Sequence, residues 1–277
     1  MRRKATHDLR PARTFEPFFA PSVLMQIIIL GSGTSHGVPV PGCDCAVCRS
    51  TNPKNKRFRA SILFAVNGKN VLVDTTPDFR SQAIANDVRR IDAVLFTHSH
   101  ADHIYGLDDV RAYSQRQGRI PCFAAEEAAA ILRKSFEYIF LGRNEGGGIP
   151  EIELRVVRGP IDLFGQTFEP LEIWHGKRTI YGFRVGQVAY LTDCSAIPPH
   201  SIERLTGLKW LIITGLRWEP HATHFSIGQS LEAAKILRPQ RVLFTHICHR
   251  LEHEATNAVL PEGAALAYDG MVIETED

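Results

Sequence analysis

No stretch of this 277-residue chain approaches the ~18 consecutive apolar residues that a membrane span requires. A bilayer partner is therefore not expected, and the chain reads as soluble. Charge of one sign is also missing, because 32 Lys and Arg stand against 30 Asp and Glu for a formal net charge of +2. A dedicated nucleic-acid binder carries a clear basic excess, so no stable nucleic-acid complex is expected. Nor do the first 24 residues read as a secretory leader: Phe15-Glu16-Pro17-Phe18-Phe19-Ala20-Pro21 is broken by two prolines and a charge where an apolar core is needed. With Arg2, Arg3, Lys4, Arg10 and Arg13, residues 1–24 read as a flexible arm ahead of one domain over 25–277, in a cytoplasmic protein.

Cysteines are few. Cys122, Cys194 and Cys248 are isolated and read as small buried hydrophobes. The other three share Gly42-Cys43-Asp44-Cys45-Ala46-Val47-Cys48, and without a secretory signal a C-x-C-x-x-C cluster reads as a metal site rather than a disulfide framework. A dinucleotide loop is absent too. Gly31-Ser32-Gly33-Thr34-Ser35-His36-Gly37 has the spacing G-x-G-x-x-x-G and leads into Val38-Pro39-Val40-Pro41-Gly42 instead of a helix. It reads as a tight loop, in which His36 either hydrogen-bonds locally or reaches a substrate.

What the chain does have is a 44% hydrophobic composition, enough for a sizeable core, and a recurring pattern of apolar strands that end in metal-competent residues. Ile91-Asp92-Ala93-Val94-Leu95-Phe96 runs into Thr97-His98-Ser99-His100-Ala101-Asp102-His103. In extended chain His98 and His100 point the same way, whereas a helix starting near Asp102 turns Asp102 and His103 elsewhere, so one loop can feed two adjacent cations. The spacing of Ile104, Leu107, Val110 and Tyr113 predicts that this helix runs through Tyr113, carrying Asp108, Asp109 and Arg111 on a solvated face or with Arg111 toward a phosphate. The same pattern recurs where Trp174 leads to His175, Leu191 to Asp193 and Phe244 to His246. Asn67-Gly68 predicts a hairpin between two strands, the second ending at Asp74. A helix is predicted from Glu126 to Tyr138, and another from Ser226 to Leu237 with Ser226 as its cap. The Gly146-Gly147-Gly148 segment reads as a connector or a lid.

His98-x-His100-x-Asp102-His103 resembles the H-x-H-x-D-H motif of the metallo-β-lactamase superfamily, and the later pieces follow in that superfamily's order from about residue 25 to 277. The resemblance implies an α/β fold, a four-layer αβ/βα sandwich. It also implies two divalent transition metals, Zn or Mn: His98, His100 and His175 on one, Asp102, His103 and His246 on the other, Asp193 bridging, and Asp74 supporting the loop by hydrogen bonds. Within the superfamily the chain is most similar to the phosphoribosyl cyclic phosphodiesterases of phosphonate breakdown. The first glycine loop with its Cys cluster, Arg241-Val242-Leu243-Phe244-Thr245-His246-Ile247-Cys248-His249, and the tail around Asp269-Gly270-Met271 carry that similarity.

That family implies a structural zinc on Cys43, Cys45, Cys48 and His249, with Cys248 and His253 as rivals for the fourth position. It also implies that His224, or His221 beside it, contacts the scissile phosphate and assists the leaving group. The activity implied is hydrolysis of a small ribose phosphodiester, cyclic ones included, or nucleotide by a hydroxide held between the metals, with Asp102 and His224 as the catalytic pair; homodimerisation stays open. Two rivals share the metal core: a tRNA 3′-processing endonuclease or a thioester or lactone hydrolase, and a non-catalytic cofactor-biosynthesis relative.

Overall fold

The β-branched and aromatic runs form fourteen strands among the residues that the computed structural model describes, 24–141 and 148–276. The expected arm, apart from Leu24, lies outside these residues, as do Gly146 and Gly147 of the glycine segment. In chain order the first seven are β1 (Leu24–Gly31), β2 (Ser61–Val66), β3 (Lys69–Val73), β4 (Ala93–Leu95), β5 (Ile120–Ala124), β6 (Ile152–Val156) and β7 (Ile161–Leu163). The others are β8 (Gln166–His175), β9 (Arg178–Val185), β10 (Val188–Leu191), β11 (Trp210–Thr214), β12 (Arg241–Thr245), β13 (Ala264–Leu266) and β14 (Val272–Glu276). They make two 7-stranded sheets, ordered β14-β1-β2-β3-β4-β5-β6 and β13-β12-β11-β10-β9-β8-β7.

Alternation along each strand divides its side chains between two interfaces. Ile27, Phe64 and Val73 of the first sheet meet Phe168, Phe183 and Tyr190 of the second in a buried core. Phe64 and Phe168 meet edge to face at 5.5 Å between ring centroids, an arrangement that contributes about 0.5–1.5 kcal/mol beyond its buried area and favours one alignment of the sheets. Leu63, Leu72 and Val94 face outward, under Phe79, Leu107 and Leu132. On the far side Leu211 and Phe244 pack against Ile227 and Leu237 of the helix Ile227–Leu237. The layers are therefore helix, sheet, sheet, helix, the four-layer α/β sandwich expected.

Strand direction decides where the site forms. The runs β3-β4-β5-β6 and β10-β11-β12-β13 are each parallel, and β8 runs with β10 because both are antiparallel to β9. Residues that follow β3, β4, β10 and β12, and the last residue of β8, thus lie at carboxyl ends of strands, where open α/β sheets bind ligands.

The hairpin at Asn67-Gly68 forms, with both residues at positive φ, 49° and 71°. Ser226 caps its helix through a reciprocal pair with Gln229. The helix expected through Tyr113 is instead three pieces, Ala101–Ile104, a 3-10 turn Leu107–Val110, and Arg111–Gln117. Gly106 marks the break: its backbone passes so close to Thr76 that an added Cβ would lie 1.9 Å from the Thr76 carbonyl oxygen. The helix from Glu126 stops at Ser135 and a further turn spans Glu137–Phe140. No helix among the described residues is long and apolar enough to cross a membrane.

Candidate metal centres

Asp74 and the loop after β4 form one hydrogen-bonded unit. The Asp74 carboxylate accepts the Thr97 N–H at 2.8 Å and the Thr97 hydroxyl at 2.7 Å, and lies 2.7 Å from His103 Nδ1. Because the Thr97 hydroxyl is already donating, its oxygen, 3.0 Å from His98 Nδ1, is left to accept from that ring. His175 Nδ1 donates toward the carbonyls of Asp193 at 2.9 Å and Thr223 at 2.8 Å, and His246 Nε2 lies 3.1 Å from the Thr34 hydroxyl. In each ring one nitrogen is tied to the protein, which fixes the orientation of the other. His98 Nε2, His103 Nε2 and His246 Nδ1 are buried and make no hydrogen bond of good geometry, the last two facing only carboxylate oxygens at 3.2–3.3 Å.

These free nitrogens converge. His98, His100 and His175 bring ligand atoms within 4.8 Å of one another, as do Asp102, Asp193 and His246, and also His98, His103 and Asp193. Asp193 Oδ2 stands 3.2 Å from both His103 Nε2 and His246 Nδ1, while Asp193 Oδ1 stands 3.2 Å from His224 Nε2. One carboxylate therefore faces three rings.

The electrostatics call for positive charge at this point. Burial favours the neutral ring of His103, yet Asp193, Asp102 and Asp74 outweigh it and hold its pKa well above the ordinary value. Burial likewise opposes ionisation of Asp193, but His246, His103 and His224 hold its carboxyl well below the usual range. His98 behaves oppositely, since burial drives it well down and keeps it neutral with its lone pair available. The free lone pair of His98, and on His103 a proton that a cation would displace, beside ionised carboxylates fit divalent cations in mixed N/O coordination.

Backbone conformation adds a second mark of a functional site. Asp74, Asp193 and His246 all adopt positive φ, 66°, 58° and 57°. Such φ costs a non-glycine residue energy and tends to be kept where geometry matters more than stability.

Residues 69–247 match the family model described as Beta-lactamase superfamily domain. The chain belongs to the metallo-β-lactamase superfamily. A solved diphosphatase from the PhnP family is 45% identical, with a TM-score of 0.85, and the match covers 91% of this chain and 98% of that one. An octanoyltransferase of Porphyromonas gingivalis is 38% identical over 89% of this chain and 51% of its own length. A coenzyme PQQ synthesis protein B of Methylobacterium nodulans is 33% identical over 90% of this chain and 99% of its own length. The chain spans about half the length of the first curated relatives it matches.

A second metal-competent group of this superfamily member lies away from the His and Asp cluster. Cys43, Cys45 and Cys48 place their sulfurs 3.2, 3.6 and 3.5 Å from His249 Nδ1. The Cys48 N–H on the Cys45 sulfur pulls that thiol down to about 6, and burial pushes the Cys48 thiol up to about 11. Three sulfurs around one imidazole nitrogen suit a closed tetrahedral zinc. Neither Cys248 nor His253 joins this group; the His253 ring packs on Tyr268 instead.

His224 joins His175 and Asp193 in the cluster, and His221 lies beside it with the two Nδ1 atoms 3.1 Å apart. His36 is exposed and joins no metal-competent group among the described residues. Arg111 pairs with Asp108 at 3.3 Å and donates to the Gly148 carbonyl at 2.9 Å. Sequence reasoning gave no role to the threonines. Thr97-His98, Thr192-Asp193 and Thr245-His246 repeat a threonine just before a site residue, and Thr192 donates to Asp193 at 2.8 Å as Thr97 does to Asp74. That repeat was a readable signal. Thr34 and Arg178 had none.

Proposed function

We propose that the chain is a dinuclear-metal-dependent hydrolase acting on a small ribose or nucleotide phosphoester, a cyclic phosphodiester or a diphosphate. The observation that carries this reading is Asp193, whose two oxygens face His103 and His246 on one side and His224 on the other, amid unpartnered imidazole nitrogens. Superfamily membership and the likeness to a diphosphatase support a hydrolase, and the latter favours phosphorus over carbon as the centre attacked.

His98, His100 and His175 would hold one cation, Asp102, His103 and His246 the other, with Asp193 shared. When bound, two such cations supply an activated water and neutralise charge on the phosphoryl oxygens. The chain supplies the rest. Asp74 and Thr97 hold the rings of His103 and His98 in place, and the His175 Nδ1–H contacts fix the ring from the opposite sheet. His224 faces the same centre, with its Nδ1 2.9 Å from the Thr223 hydroxyl and its Nε2 toward Asp193. Burial lowers the His224 pKa against the pull of Asp193; a phosphate beside the ring would favour its protonated form, which could pass a proton to a departing ribose oxygen. The Cys43, Cys45, Cys48 and His249 group has no position for substrate and is assigned a structural zinc.

The octanoyltransferase likeness supports a rival acyl-ester substrate, although half of that relative lies outside the match. The deciding measurement is turnover by protein loaded with Zn or Mn, on ribose cyclic phosphodiesters and bis-p-nitrophenyl phosphate against thioesters and lactones. Metal-dependent phosphoester hydrolysis is expected; acyl turnover without it would overturn the proposal.

A further inference from the structure

The β8–β9 hairpin that supplies His175 also supplies a cation. His175 and Arg178 are register partners at the hairpin end, and Gly176, at φ 61°, makes the turn between them. Arg178 is exposed, stands in no ion pair among the described residues, and makes one polar side-chain contact, Nη1 to His100 Nε2 at 3.4 Å. That contact cannot persist once His100 serves a cation. If Nδ1 is the ligand atom, Nε2 carries the ring hydrogen and two donors face each other; if Nε2 is the ligand atom, its lone pair is already used. Either way the guanidinium is left at the edge of the metal cluster needing an acceptor.

Beside it lies a cavity of about 250 Å³ lined by His98, Ser99, Arg178, Thr179 and Tyr181, with Glu126, Glu127 and Glu172 along the wall. Those carboxylates repel an anion, though Glu126 is paired with Arg158 at 3.3 Å and Glu172 with His200 at 3.2 Å. The anionic position is therefore on Arg178 itself, beside the metal-competent histidines, and the acidic groups that share the cavity suit hydroxyl groups. We infer that Arg178 is a specificity-determining residue that binds a second phosphate next to the scissile one, so that the preferred substrates carry adjacent phosphates on a hydroxyl-rich group. This rests on the phosphoester reading above.

Arg178→Ala separates the possibilities in calorimetric titrations of metal-loaded protein with inorganic pyrophosphate and with orthophosphate, with metal content measured alongside. Wild-type protein is expected to bind pyrophosphate more tightly, and the variant to lose about 10- to 100-fold on pyrophosphate with little loss on orthophosphate and both active-site metals retained, the scale of a charge-assisted hydrogen bond. Equal losses on both anions, or lost metal, would overturn the inference, since Arg178 would then act on the scissile phosphate or by positioning His100. Unchanged binding of both anions overturns it too while leaving the phosphoester reading intact. Wild-type protein that binds neither anion overturns both.

Discussion

Asp74 Oδ2 lies 2.7 Å from His103 Nδ1, and both side chains are buried. The same carboxylate takes two hydrogen bonds from Thr97, so it fixes the first residue of the metal-competent loop and the last. Asp74→Asn keeps the shape but puts a donor where an acceptor is required. Metal affinity or activity is expected to fall about 10- to 100-fold, as for other groups that orient a ligand. Metal retained after dialysis against a graded chelator measures this; wild-type retention would show that Thr97 and the strand end suffice to hold His103.

The Cys43 sulfur and His249 Nδ1 join positions 206 residues apart. A zinc there would tie the first glycine loop to the segment after β12, and its binding free energy would add to folding stability. Cys45→Ser is expected to abolish one equivalent of zinc and lower the Tm by several degrees, at roughly 2–4 °C per kcal/mol for a domain of this size. Elemental analysis with calorimetry checks both, and a full zinc complement at unchanged Tm would refute the assignment.

Gly106 offers a test of the packing behind the metal loop. An added Cβ would meet the Thr76 carbonyl at 1.9 Å and the Phe79 Cβ at 3.0 Å, and backbone cannot yield as a flexible side chain can. Gly106→Ala is expected to cost about 1–3 kcal/mol or more, read as a lower urea midpoint at unchanged slope. Because Gly106 N–H also bonds the Thr75 carbonyl at 2.9 Å, next to Asp74, metal affinity should fall with stability.

Gly106 also shows where the sequence stopped being readable. Ile104, Leu107, Val110 and Tyr113 are all buried as their spacing predicted, yet the helix is broken, because periodicity reports which face is inward and not whether a distant carbonyl needs room. The strand ends were legible for a simpler reason: an apolar run followed by His or Asp carries its own boundary, as at His98, Asp193 and His246. Positive φ at Asp74, Asp193 and His246 left no trace, since a strained backbone is held by the fold around it and not by its own residue type. Arg178 was equally silent. Its significance comes from lying 3.4 Å from a residue 78 positions away, a proximity created where β9 meets the metal-competent loop, Tyr181 N–H bonding the Thr97 carbonyl at 3.0 Å.

The two contacts of Asp193 should separate by function. Its Oδ2 faces His103 and His246, and its Oδ1 faces His224, at 3.2 Å in each case. Asp193→Ala removes a carboxylate common to three of the metal-competent groups among the described residues, so active-site metal and activity should be lost together. His224 also stands within ligand distance of His175 and Asp193, which makes its variant the sharper test. If His224 carries a proton to the leaving group, His224→Ala retains both active-site metals and loses roughly 10²–10⁴-fold in turnover. That loss should shrink on a p-nitrophenyl phosphodiester, whose leaving group needs little protonation. Equal losses on activated and unactivated esters would mean that the ring binds phosphate without donating a proton. Loss of metal would make His224 a ligand, and full activity would pass its role to His221, whose Nδ1 lies 3.1 Å away.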